Sequence, residues 1–184
     1  MAGETRARML AAATEALRRG GVAGMSFTEV LGVSGAARGA IYHHFPGGKA
    51  QLVAEAAGRH GVEVREQLAG LSGESPLAVV LTFLAAARPV VAASAAGSGC
   101  AVAAVALGTP TSEVAATAFD SWTDELVATL TTAGAPPAEA TDLATALITV
   151  LEGAHVLCRA AGDLAPFDRA AAAVESLVRA RYPG

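Results

Sequence analysis

The sequence predicts an all-α protein of about nine helices, and three observations carry that prediction. Alanine fills a quarter of the 184 positions while aromatic residues make up only 4%. That mixture favours helix over the Val-, Ile-, Thr- and aromatic-rich strands of β proteins. Leu, Val and Ile recur among the alanines at helical spacing, the pattern of amphipathic helices rather than of low-complexity chain. Gly and Pro clusters cut the chain into pieces of helix length. With 53% apolar and only 16% charged residues, a disordered chain is also excluded.

The elements follow in order. Residues 5 to 19 are rich in Ala, Leu and Arg, and Gly20-Gly21 stops them. Ser26 or Phe27 opens a second, short helix with Thr28 and Glu29 in its first turn, and Ser34-Gly35 ends it after about two turns. Ala36 to His43 is predicted as a third short helix, closed by Pro46-Gly47-Gly48. A long helix then runs from Lys49 to about Leu71, with Leu52, Val53, Ala56, Ala57 and His60 on one face. Pro76 marks the next start. Leu77 to Ala96 is expected to be helical and kinked near Pro89. Cys100 to Leu107 forms a short apolar piece, ended by Gly108-Thr109-Pro110. Ser112 to Ala133 carries Phe119, Trp122 and Leu126 on one side and stops at Gly134. Pro136-Pro137 opens a helix reaching Ala161, and Asp168 to Arg181 is the last, ended by Pro183.

Leu77–Leu107 is apolar enough to raise the question of a membrane span. Arg88 and Pro89 fall well inside it, and Ala, Gly and Ser dominate the rest, so helices buried against protein are the better expectation. The first twenty residues hold Glu4, Arg6, Arg8, Glu15, Arg18 and Arg19, which leaves no apolar signal core and points to the cytoplasm. Cys100 and Cys158 are too few for a disulfide framework or a zinc site. No metal or cofactor is expected.

The net charge of −4 is unevenly spread. Residues 1–60 hold seven basic and four acidic side chains, a net +3, and add His43, His44 and His60. Residues 61–184 hold six basic and thirteen acidic side chains, a net −7. A basic head on an acidic body fits a polyanionic partner. The same head contains two helices too short to stand alone, flanking a tight Ser34-Gly35 turn. That is helix-turn-helix geometry, in which the second short helix offers its N-terminal residues to the major groove of DNA. Ala36-Ala37-Arg38-Gly39-Ala40 supplies small residues for close approach and one side chain that reaches. Gly39 costs a helix about 1 kcal/mol, so it either serves close approach or merely ends a loop.

The run Gly35-Ala36-Ala37-Arg38-Gly39-Ala40-Ile41-Tyr42-His43-His44-Phe45, with Lys49 soon after, resembles the recognition-helix signature of the tetracycline-repressor (TetR) family of bacterial transcription regulators. The likeness covers about residues 5–60, and the helical body extends it. The link Phe45-Pro46-Gly47-Gly48-Lys49, the segment Gly99-Cys100-Ala101-Val102, the Phe119/Trp122 pair and Leu151-Glu152-Gly153-Ala154 with Arg159 are further similar to a subgroup, the repressors of lincomycin-resistance operons.

The resemblance implies a DNA-binding domain over 1–48, its motif at about 26–45, and an effector-binding and dimerisation domain over 49–184. Thr28, Tyr42, His43 and Lys49 would meet backbone phosphates. Arg38 would read a base, since its guanidinium fork matches O6 and N7 of guanine. Ala37 and Gly39 would let the backbone approach. Ala40 departs from the family's Ser or Thr; it loses a hydroxyl contact but keeps a methyl for thymine. Val30, Leu31, Ile41 and Phe45 are expected in the core, and His44 is open between packing and a phosphate contact.

For the body the resemblance implies a homodimer joined by its last two helices, with Leu143, Leu147, Leu151, Val174, Leu177 and Val178 at the interface or in the core of one chain. It also implies an effector pocket for a small, mostly apolar molecule, lined by Phe83, Leu84, Cys100, Phe119, Trp122, Leu126 and His155, which could equally be plain core. The functional expectation is a repressor released from a palindromic DNA operator by that effector. Two alternatives remain: a repressor switched by oxidation of Cys100 and Cys158, and a helical adaptor that has lost DNA binding. An enzyme is not expected. No Gly-rich phosphate loop, His-Glu-x-x-His pair or nucleophile elbow is present, and Ser94 and Ser98 lack an evident base.

Overall fold

The structure, a computed structural model, describes residues 2–109 and 112–182. Among the described residues there are nine helices and no strand. They are α1 (Ala2–Gly24), α2 (Phe27–Ser34), α3 (Ala40–His44), α4 (Gly48–Ala69), α5 (Pro76–Ala95), α6 (Ala101–Gly108), α7 (Glu113–Thr132), α8 (Pro137–Ala161) and α9 (Ala165–Arg181). The stops expected at Pro110 and Pro183 lie outside the described residues.

The punctuation residues act largely as expected. Gly21 breaks α1 with φ 66° and ψ −172°, but the chain regains a helical turn and closes it with a bond from Met25 N–H to the Gly21 carbonyl, 3.2 Å. Ser26 caps α2 by accepting from Glu29 N–H at 3.2 Å, and Gly35 ends it in the left-handed region, φ 67°. Ser75 caps α5 ahead of Pro76, and the helix runs through Pro89 to Ala95 rather than ending there. Helix α9 starts at Ala165, three residues before the expected start, because Asp163 accepts from Ala165 N–H at 2.9 Å and Pro166 fits the first turn.

The third helix is the main departure. It was expected over 36–43, but only Ala40–His44 is helical. After left-handed Gly35 the chain must change direction, and residues 36–39 do so as a turn closed by Ala40 N–H on the Ala37 carbonyl, 2.9 Å. The segment therefore reaches Ala40 before consecutive i to i+4 bonds begin.

The chain forms two compact units, and they cut across the division expected at residue 48. The first comprises residues 1–63 and 100–118, so α6 and the start of α7 pack with the head. Helix α1 is its spine and packs along both α2 and α6. The core holds Met9, Leu17, Met25, Val30, Ile41, Phe45, Leu52 and, from α6, Ala101 and Val105. Leu31 packs at its edge. Each fully buried large apolar side chain contributes roughly 1.5–3 kcal/mol. Ile41 and Phe45, buried at 2% and 0% exposure, thus anchor a helix of five residues that could not hold itself.

The second unit comprises residues 64–99 and 119–184. Helices α5, α8 and α9 pack on one another. Helices α5 and α8 are long and apolar enough to cross a membrane by length and composition. Here they bury Val79, Val80, Phe83, Leu84 and Val91 from α5, and Ala144, Leu147, Leu151 and Ala154 from α8, in a protein core. Trp122, Leu126 and Leu130 of α7 are buried in the same unit.

Two glycines of the head predict opposite outcomes. A Cβ at Gly35 would sit on a left-handed residue, whereas Gly39 has φ −69° and nothing within 4 Å of an added Cβ. Gly35→Ala should lower stability by about 1–2 kcal/mol. Gly39→Ala should leave it unchanged or raise it by up to about 1 kcal/mol. Urea unfolding of both variants checks this; a destabilised Gly39→Ala would show that the fold itself needs that glycine.

Candidate nucleic-acid interface

Helix α3 places its apolar side inward and its polar side outward. Ile41 and Phe45 are buried, Tyr42 and His43 are exposed, and His44 is half-buried. The ring of Tyr42, 65% exposed, meets Phe27 edge-on at 5.9 Å and 86°. That contact brings the outer side of α3 beside the N-terminus of α2, where Thr28 is exposed. A helix N-terminus presents unpaired N–H groups and a partial positive charge. Ala37, Arg38 and Gly39 are exposed on the preceding turn, Ala40 is half-buried, and Lys49 is exposed in the first turn of α4. The expected set of Thr28, Ala37, Arg38, Gly39, Ala40, Tyr42, His43 and Lys49 is thus turned toward solvent except for the half-buried Ala40.

The electrostatics sharpen the surface. Five of the seven basic side chains in residues 1–60 have a carboxylate partner: Arg6 with Glu55, Arg8 with Glu4, Arg18 with Glu15, Arg19 with Glu29 and Arg59 with Glu63. Among the described residues Arg38 and Lys49 have none. The +3 of the head therefore overstates its free charge, but the free cations are the two beside α3. His60 sits deeper, and burial, followed by the charge of Arg18, holds its pKa below the ordinary histidine value.

Comparisons with known proteins agree with this geometry. Residues 9–56 match the family model of the N-terminal domain of bacterial TetR regulatory proteins, and residues 76–173 match that of the C-terminal domain of LmrA/YxaF-like transcriptional regulators. An uncharacterised HTH-type transcriptional regulator of Mycobacterium tuberculosis is 31% identical over 188 residues, covering 97% of this chain and 96% of that one. The chain belongs to the TetR family. The HTH-type regulator LmrA of Bacillus subtilis is 37% identical over 67 residues, 36% of each chain. Among solved structures, a TetR regulator from Chloroflexus aurantiacus superposes with a TM-score of 0.77 and 26% identity, covering 96% of this chain and 95% of its own. The protein is accordingly a transcriptional regulator with a DNA-binding helix-turn-helix, and not an enzyme.

The residues expected for other roles in this TetR-family chain are distributed unevenly. Phe83, Leu84, Trp122, Leu126 and His155 are buried in the second unit, and Phe119 is half-buried there with its ring edge-on to Trp122 at 5.2 Å and 89°. Cys100 belongs to the first unit, where its sulfur accepts from Ala103 N–H at 3.4 Å and caps α6. Both thiols are buried, which is the setting of inert cysteines.

The expected dimer set divides. Leu147, Leu151 and Val178 are buried within the single chain, Leu147 completely, so most of their apolar area is already spent on the intrachain core. Leu143 and Val174 are half-buried, and Leu177 is 73% exposed. Val156 and Leu157 of α8, 60% and 58% exposed, were not anticipated. The outward apolar positions of α8 were hidden by a helix whose apolar residues go nearly all round.

The sequence also gave no sign of a partner for Ser94. Its hydroxyl lies 2.5 Å from Nδ1 of His155 and donates to the Ser98 carbonyl at 2.7 Å. With its one proton committed there, Ser94 accepts from Nδ1–H of the imidazole. The ring nitrogen facing the serine is therefore a donor and no base, and the pair ties α5 to α8 as buried polar structure.

Proposed function

We propose that this regulator is a homodimeric, cytoplasmic repressor that binds a palindromic operator and is released by a small, mostly apolar effector. The observation that carries the DNA-binding half is the pairing pattern of the head: Arg6, Arg8, Arg18, Arg19 and Arg59 each have a carboxylate, while Arg38 and Lys49 face solvent with none among the described residues. In this reading Arg38 reaches a guanine edge. Lys49, Thr28, Tyr42 and His43 hold phosphates. Ala37, Gly39 and Ala40 let the backbone come close, and an open Gly39 whose conformation any residue could adopt supports that role. Two copies would place two heads on half-sites about 34–36 Å apart.

Arg38→Ala should cost about 1–3 kcal/mol and relax the base preference at one position, while Lys49→Ala should weaken all duplexes alike and make the salt dependence shallower by about one unit. Titrations of specific and scrambled duplexes at several salt concentrations distinguish them. Indistinguishable behaviour of both variants and the unmodified chain would refute DNA reading by this surface.

The outward Val156, Leu157 and Leu177, together with half-buried Leu143 and Val174, support a two-fold interface across α8 and α9. Leu177→Glu would bury a charge without a partner in that interface. Sedimentation should show a dimer for the unmodified protein and a shift toward monomer for the variant. A monomer that binds its operator fully would sink the interface.

For the effector, Phe83, Leu84, Phe119, Trp122, Leu126 and His155 offer an aromatic, nearly uncharged setting suited to an apolar molecule. Such a molecule releases DNA only if it binds the DNA-incompetent state more tightly. Trp122→Ala should raise the concentration of a releasing compound several-fold while effector-free DNA binding persists. Collapse of DNA binding without effector would identify Trp122 as core alone.

A further inference from the structure

Helix α1 reaches the link between α3 and α4 through a continuous chain of side chains. Arg6 pairs with Glu55 of α4, and its guanidinium lies 5.1 Å over the ring of Phe45. The other oxygen of Glu55 accepts from the Gln51 amide nitrogen at 2.8 Å. The Gln51 amide oxygen in turn accepts from the backbone N–H of Gly47 at 2.8 Å. Gly48 N–H closes the turn on the Phe45 carbonyl at 2.9 Å. The path thus runs from α1 to the backbone of Phe45-Pro46-Gly47-Gly48, directly ahead of Lys49.

Pro46 fixes the first half of this link, but the second half is two glycines. Gly47 and Gly48 are adjacent, and glycine is the residue with the most backbone freedom to lose. The core packing of Leu52 and Val53 sets the course of α4, and the turn joins α3 to its first residues, Lys49 among them. We propose that Arg6, Glu55 and Gln51 are positioning residues for DNA binding: they hold the glycine turn so that α3 and Lys49 engage the same duplex. The inference rests on Lys49 being a phosphate ligand. Arg6 and Glu55 retain 38% and 29% exposure, and ion pairs that open to water add little to stability. Their effect therefore falls on geometry more than on folding.

The charges separate this role from direct contact. If Arg6 were itself a phosphate ligand, freeing it from Glu55 would tighten binding. If it positions, freeing it weakens binding even though the head becomes more positive. The test titrates a labelled duplex from the DNA flanking the coding region with the unmodified protein, Lys49→Ala, Gln51→Ala, Glu55→Gln and Lys49→Ala/Gln51→Ala over a salt series. Thermal melting is followed in parallel.

The expected result is that Gln51→Ala and Glu55→Gln each bind about fivefold more weakly per head at about 0.15 M salt, with a slope of log affinity on log salt shallower by about 0.9 per head. Lys49→Ala should do the same, and the double variant should be no weaker than Lys49→Ala, because the relay acts through that lysine. A merely destabilised fold would lower the active fraction and leave the slope unchanged. Tighter binding by Glu55→Gln, an unchanged slope for Gln51→Ala, or additive losses in the double variant would overturn the inference. An unchanged slope for Lys49→Ala would instead overturn the phosphate role on which it stands.

Discussion

The structure depends on burying Ile41 of one very short helix and Phe45 at its C-cap. Five residues close too few hydrogen bonds to keep α3 formed in water, so its shape is borrowed from its surroundings. Ile41 and Phe45 sink into the core that α1 and α4 build with Met9, Leu17 and Leu52. Everything on the opposite side of α3 is then forced outward. The exposure of Tyr42 and His43 follows from the same packing that hides their neighbours. The outward surface made this way is small, and its anchor is core and not loop.

Charge is arranged by the same economy of space. The arginines of α1 lie against helices that carry carboxylates, and they are satisfied there. Arg8, besides its pairing with Glu4, donates to the carbonyl of Ser34 at 3.1 Å, at the negative end of α2, and Arg19 bonds Glu29 near the positive end of that helix at 2.7 Å. Helix α2 is thereby pinned at both ends. The surviving free cations sit on the turn before α3 and the first turn of α4. Net charge alone would have assigned the whole head to a polyanion, whereas pairing leaves only two of its Arg and Lys side chains without a carboxylate among the described residues.

Much of this was legible in the chain. Ser26 and Gly35 act as cap and stop because their chemistry is local: a hydroxyl reaches the N–H three residues on, and a missing Cβ permits a left-handed turn. The anchors Val30, Ile41 and Phe45 were legible from their spacing and from the family signature. The onset of α3 was not, because Ala36-Ala37-Arg38 favours helix, and the direction change after Gly35, with Gly39 weakening the helix further, overrides it. Which of the leucines of α8 face inward was not legible for a related reason. In an Ala-rich helix nearly every face is apolar, so periodicity cannot tell Leu147, which the chain buries, from Leu157, which it leaves open. The Ser94–His155 bond joins residues 61 positions apart, and no local pattern announces it.

The central claim is that the exposed side of α3 and the turn before it lie against DNA. Amide hydrogen exchange with and without a duplex from the flanking DNA tests this most directly. The account predicts that exchange in residues 36–45 and at the start of α4 slows sharply on binding, while the buried stretch of α8 is unaffected. Protection confined to other surfaces, with residues 36–45 exchanging as fast in the complex as in the free protein, would contradict it.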